Sequence, residues 1–182
     1  DPGARAAAAD VAALEPRAVA ASLDQLYVVP DLATAYVTCG DDDLRAYEGR
    51  PPAALDGAHA LFLNQREALG LSGEETVEDA ARSLAGRVDT LVVTRAGEGA
   101  MALSDGETVV VPAETIERPI DTTGAGDLLA AAYIWADLSG AELEERLRWA
   151  VLYAGLAVCT PTGIGGAVDR ETLLREGASR GL

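Results

Sequence analysis

The sequence predicts an α/β fold with a mostly parallel central sheet and helices on its faces. Continuous apolar runs, Ala60-Leu61-Phe62-Leu63 and Thr90-Leu91-Val92-Val93-Thr94, suit strands covered on both sides. Helical segments of about ten to fifteen residues separate the strands, which implies βαβ units. A chain of 182 residues, 49% hydrophobic, is long enough for a sizeable core, and we read residues 1–182 as a single α/β domain.

Residues 1–25 are alanine-rich and helix-prone, with Pro16 placed to open a helix through Arg17–Leu23. Tyr27-Val28-Val29 reads as a short strand or extended segment ended by Pro30, and Ala35–Cys39 as a strand stopped by Gly40. Leu44–Ala58, interrupted by Pro51-Pro52, reads as a turn followed by a short helix. Asn64 after the Ala60–Leu63 strand can cap the next helix, with Glu67 three residues on to close a capping box. Thr76–Leu84 is an amphipathic helix closed by Gly86. After the 90–94 strand come Met101–Leu103, the hairpin signal Asp105-Gly106, and Thr108–Val111. Leu143, Leu147, Ala150, Val151, Ala154, Ala157 and Val158 fall at helical spacing, so one face of that helix is core. A glycine-rich loop, Gly163–Gly166, and a short helix near Arg170–Arg175 close the chain.

Composition excludes several function classes. The net charge is −16, from 30 acids against 14 bases, and every base is arginine. Without lysine there is no Walker-type phosphate loop, no protein-kinase strand lysine and no Schiff-base amine. The acidity argues against nucleic-acid partners, and no apolar run approaches the ~20 residues of a membrane span. An anionic nucleotide would need a local cradle and Mg²⁺ on so acidic a surface. Cys39 and Cys159 are read as free thiols, since no CxxC spacing is present. His59, the one histidine, is read as structural. Asp41-Asp42-Asp43 could ligate a metal, although acidic runs are usually solvated. The chain opens on Asp1-Pro2-Gly3 with neither initiator Met nor signal-like segment. A native start further upstream and a cytoplasmic location are the expectations.

The stretch that carries chemistry is Asp121-Thr122-Thr123-Gly124-Ala125-Gly126-Asp127, which runs into the apolar segment Leu128–Ala136. Glycines suit a tight turn with open N–H groups, and the apolar run suits a buried helix starting there. A helix start has unpaired N–H groups and partial positive charge, so it can hold a phosphate. Asp127 would stand in the first turn, beside the same mouth. The other reading of this heptapeptide is a well-capped helix and nothing more. Asn64–Glu67 and Arg95–Gly99 would lie at carboxyl ends of strands, where α/β sheets bind ligands, and the Asp121 turn can join them there.

In that order, these segments resemble the ribokinase/PfkB-type carbohydrate and nucleoside kinase superfamily over roughly residues 35–175. The resemblance implies a ribokinase-like three-layer α/β/α fold and an ATP-dependent phosphotransferase acting on an alcohol group of a sugar or nucleoside. It implies that Gly124, Ala125 and Gly126 form the anion hole and that Asp127 is the catalytic base. Asn64 and Glu67 fit the motif linked to Mg²⁺ and phosphate, with Asp121 added here as a metal candidate. Thr94, Gly97 and Gly99 fit the segment that contacts the nucleotide, and Thr122, Thr123 and Gly163 are further cofactor-binding candidates. The loop Thr160–Gly166 fits the one beside adenine and, in many members, a monovalent cation such as K⁺. Gly40–Leu44 also resembles nucleoside-kinase-like members. The family's N-terminal half, with its Gly-Gly substrate motif and lid, has no counterpart among these residues. The chain thus resembles the nucleotide-binding, catalytic half. Its expected partner is a small molecule, with no nucleic acid or membrane, and a homodimer is admitted because family members commonly pair through the lid. The alternatives are a non-catalytic nucleotide-binding or regulatory module and a dinucleotide-dependent oxidoreductase. The second is weak, since Gly97/Gly99 lacks the third glycine and following helix of that fingerprint.

Overall fold

The computed structural model describes residues 2–114, 116, 119–161 and 165–182. Six strands form one sheet in chain order, β1 (Ala18–Ser22), β2 (Thr34–Thr38), β3 (Ala58–Asn64), β4 (Val88–Thr94), β5 (Ala100–Ser104) and β6 (Glu107–Val111). β1 and β2 pair in parallel with Ala18 opposite Thr34, and β2 and β3 in parallel with Tyr36 opposite Ala60. β5 and β6 are neighbours joined by Asp105-Gly106 alone, a connection only an antiparallel hairpin can use. Both turn residues have positive φ, 49° and 80°, as the sequence dipeptide predicts. The sheet is therefore mixed.

The chain divides into two compact units. The first is Asp1–Val93 with Leu103–Glu107, and the second is Thr94–Ala102 with Thr108–Leu182. In the first, α1 (Pro2–Ala13), α2 (Asp41–Tyr47), α3 (Gln65–Ser72) and α4 (Val77–Ala85) accompany the strands. Its core is built from β3 and β4 residues, Leu61, Leu91, Val92 and Val93, with Leu71 of α3 and Leu84 of α4, all fully buried. The second unit holds α5 (Ala125–Leu138), α6 (Leu143–Ala157) and α7 (Arg170–Ala178). α5 packs on α6 with Tyr133 and Leu147 fully buried, and Trp135 meets Trp149 edge-on at 5.3 Å. Near the α5–α6 connection, Asp137 and Arg146 join the helices with a 2.7 Å ion pair. Gly177 of α7 lies against the Trp149 ring so closely that a Cβ there would come within 2.1 Å of it.

Three expectations are corrected. Residues 18–22 form β1, not part of a helix. Alanine's helix preference amounts to under about 1 kcal/mol per residue, which a ladder with β2 and burial of Ala21 outweigh. Leu23–Val28 is a 3₁₀ helix, so Tyr27-Val28 is not a strand. The turn expected from Leu44 is the body of α2, which starts at Asp41 because three aspartates fill its first turn. Only a 3₁₀ turn, Ala53–Leu55, follows.

Those aspartates have separate partners. Asp43 is 4% exposed, and its two carboxylate oxygens each accept a 2.8 Å backbone bond, from Asp24 and from Gly40. Asp41 pairs with Arg66 and Asp42 with Arg45. His59 packs edge-on against Tyr36 at 5.3 Å and lies 3.3 Å from Asp89, in keeping with the structural role expected of it. No helix among the described residues is long and apolar enough to cross a membrane.

Candidate active site

The tip of α5 is built by local rules. Asp121 accepts the Thr123 N–H through Oδ1 at 2.9 Å, an Asx turn that starts the bend. The Ala125 N–H reaches the Thr122 carbonyl at 3.2 Å and closes it. Gly124 then takes φ 77°, ψ −2° as N-cap, and its carbonyl accepts the first helical bond from Leu128 at 3.0 Å. No side chain caps this helix. Among the described residues, the amides of Gly126 and Asp127 have no recorded acceptor. Thr122, Thr123, Gly126 and Asp127 are exposed, and Gly124 and Ala125 are half-buried. The tip opens to solvent, and Asp127 is not packed into the interior.

Gly126 is informative because the fold does not require it. It is helical, and a Cβ added there would meet nothing within 4 Å. A glycine inside a helix costs about 0.5–1 kcal/mol relative to alanine, and packing among the described residues does not account for it. Gly99 is the opposite case. At φ 95°, a Cβ would fall 2.0 Å from the Val111 carbonyl oxygen and 2.5 Å from the Ala113 nitrogen. Packing alone therefore demands glycine at 99.

Thr94 is half-buried at the end of β4. The loop after it folds back through Arg95 N–H to Gly99 carbonyl, 2.7 Å, and the Arg95–Glu98 pair. Gly97 is exposed in this loop, with open space where a Cβ would be. Gly99 leads into β5 and not into a helix, unlike a dinucleotide fingerprint.

Two features of the second unit escape sequence reading. The Ile120 N–H donates to the Val158 carbonyl at 2.8 Å, fastening the start of the Asp121–Gly124 turn to the end of α6. Gly166 lies against the backbone of Ala157, where a Cβ would come within 2.5 Å. The loop after α6 is thus anchored at Gly166 and by the Thr160 hydroxyl on the Ala157 carbonyl at 3.2 Å. Gly163, the nucleotide and cation candidate in this loop, lies outside the described residues with Thr162 and Ile164. Sequence gives Gly166 without saying which backbone it meets.

In the first unit, Asn64 and Glu67 form the predicted capping box. Glu67 N–H donates to Asn64 Oδ1 at 2.9 Å, and Asn64 N–H donates to Glu67 Oε2 at 2.8 Å. Burial pushes the Glu67 carboxyl above its ordinary 4.5, opposed by the Asn64 hydrogen bond and the nearby Arg66. Burial, with the Glu67 and Asp43 carboxylates, pushes the Cys39 thiol up to about 12. Among the described residues, no three His, Cys, Asp or Glu side chains gather into a metal cage. One half-buried carboxylate with an amide beside it fits Mg²⁺, which retains most of its water and needs few protein ligands.

The pfkB carbohydrate kinase family profile matches residues 31–169. The chain belongs to the PfkB family of carbohydrate kinases. This PfkB chain is 36% identical over 117 residues to the ribokinase of Bacillus subtilis, covering 64% of itself and 39% of that protein. It is 41% identical over 90 residues to the cytidine kinase of Thermococcus kodakarensis, with coverage of 48% and 32%. Among solved structures, a probable sugar kinase from Rhizobium etli matches at TM-score 0.74 and 25% identity, over 87% of this chain and 48% of that one. Arabidopsis thaliana ribokinase complexed with ribose and ATP matches in fold at TM-score 0.71 and 24% identity, over 85% and 51%. The α/β fold of the ribokinase kind expected from the sequence is the one these structures share. The PfkB chain spans 39% and 32% of the lengths of the two curated relatives.

Proposed function

We propose that this chain is part of a PfkB-type kinase domain and supplies the nucleotide-binding and catalytic residues of an ATP-dependent phosphotransferase. The acceptor is an alcohol group of a sugar or nucleoside. The observation that carries the reading is the tip of α5: an exposed Asp127 carboxylate in the first turn, next to Gly126, whose lack of a side chain the packing does not explain.

In this reading the acceptor oxygen attacks the γ-phosphorus of ATP, a new P–O bond forms and the bond to ADP breaks. Asp127 takes the hydroxyl proton, a contribution of about 10²–10⁴-fold for general base assistance. Backbone N–H groups of Gly124–Asp127 face the charge developing on the phosphoryl oxygens, and loss of one such donor costs about 3–4 kcal/mol in comparable sites. Ala125 gives least, since its N–H is directed at Thr122. Thr94, Gly97, Gly99, Thr122 and Thr123 contact the nucleotide, with Gly99 needed first to let the loop pack on β6. Glu67 and Asn64 are the residues that would hold Mg²⁺ through water, and Asp121 is a separate metal candidate. When bound, Mg²⁺ would supply the phosphate neutralisation for which the chain has no lysine. A cytoplasmic location accords with ATP as donor. The names of the relatives, a ribokinase and a cytidine kinase, support the sugar-or-nucleoside class.

The test is acceptor-dependent ADP release, measured over a panel of sugars and nucleosides with the whole protein that carries this chain, wild type against Asp127→Asn. Turnover in the wild type and none in the variant, with ATP affinity retained within several-fold, is expected. Full activity in the variant removes Asp127 as base. ATP binding without transfer to any acceptor would favour the non-catalytic module.

A further inference from the structure

Arg66 stands in the first turn of α3, next to Glu67, and its Nη2 donates to Oδ1 of Asp41, the first residue of α2. These helices follow β3 and β2 in the first unit, so the pair lies at the carboxyl ends of two strands. Asp43 and Glu67 share this mouth, because the Cys39 thiol just after β2 feels the charges of Glu67, Asp43, Arg66 and Asp41 together. Of these four charged groups only Arg66 is positive. The three carboxylates would repel the phosphates of a nucleotide, and Arg66 is the group there that can meet them.

The fold makes little use of Arg66. Its side chain is 67% exposed and that of Asp41 63%, and ion pairs so exposed add little to stability. The capping box that starts α3 is closed by Asn64 and Glu67 without it. Among the described residues, the Asp41 carboxylate is the one recorded acceptor for this guanidinium. Nη2 carries two N–H groups and Asp41 takes one of them. One edge of the planar fork, Nε with Nη2 or Nη1 with Nη2, therefore keeps both donors, the arrangement that binds phosphate oxygens in pairs.

We infer that Arg66 is a phosphate-binding residue for the donor nucleotide, giving two N–H bonds from its open edge to the β- and γ-phosphate oxygens of MgATP while Asp41 holds the guanidinium in place. The inference rests on the reading of Glu67 as a magnesium residue, which puts those phosphates one position along the same helix turn. It supplies the protein cation that a chain without lysine has to draw from arginine.

The test is calorimetric titration of the whole protein that carries this chain with MgATP and with AMP, which lacks the β- and γ-phosphates. Arg66→Gln should raise the Kd for MgATP about tenfold or more, as charge-assisted bonds are lost, and leave that for AMP unchanged. Arg45→Gln is the control, since it removes the same charge from an exposed arginine paired with Asp42 in α2, and should leave both constants unchanged. Equal MgATP affinity in the wild type, Arg66→Gln and Arg45→Gln overturns the inference and leaves the kinase reading standing. An Arg66→Gln that weakens AMP as much as MgATP also overturns it, because the loss would then be structural. A wild type that binds no MgATP removes the kinase reading and this inference with it.

Discussion

Gly124 and Gly126 stand two residues apart in one turn, yet only Gly124 is required by the chain's own conformation. Gly124 holds φ 77°, whereas Gly126 is helical with open space around it. Gly126→Ala should therefore raise stability by about 0.4–1 kcal/mol, while ATP affinity falls. Gly124→Ala should lower stability by about 1 kcal/mol or more. Thermal melts and nucleotide titration of the two variants check this. Equal destabilisation by both would mean that Gly126 serves packing.

Glu67 gives a pH signature. Its folded-state carboxyl is raised by burial, so the protonated form is favoured in the native state. The stability this contributes is fully present below the ordinary value of 4.5 and is lost as pH rises through the raised folded value. Gln mimics the protonated form and can still close the capping box. Glu67→Gln should thus match or exceed wild-type stability at pH 7, and the difference should shrink towards pH 4. Mg²⁺-dependent nucleotide binding should weaken in the same variant. Urea melts across pH give the first result and ATP titrations with and without Mg²⁺ the second.

The thiols should differ sharply. Cys39 is half-buried between carboxylates, with its thiol pushed up to about 12, and Cys159 is exposed at the end of α6. A thiol reagent at pH 8 should label one cysteine per native chain, at Cys159, and two after unfolding. Mass spectrometry of the labelled peptides decides the matter.

Much of the fold was legible where local chemistry and tertiary structure agree. The Asn64–Glu67 box, the Asp105-Gly106 turn and the apolar stripe of α6 are each specified by residues within one or two turns of each other. β1 was not legible, because five small residues rich in alanine carry a helix preference that only pairing with β2 reverses. The role of Asp43 had a readable signal, an acid three residues after Gly40, but its second bond comes from Asp24, 19 residues away. At the site, the turn and its acid could be read from Asp121–Asp127. The bond from Ile120 to Val158 could not, since it joins main-chain groups that any residues would carry. Likewise, only the three-dimensional structure separates Gly99, fixed by packing, from Gly126, left open to solvent.

The claim that the α5 tip grips a phosphoryl group is tested most directly by ¹H–¹⁵N spectra of this chain during titration with MgATP. The amides of Gly126 and Asp127 are predicted to show the largest shifts, and Gly126→Ala to suppress them together with binding. Saturable binding that leaves both amides unmoved, or that is unchanged in Gly126→Ala, would contradict the account.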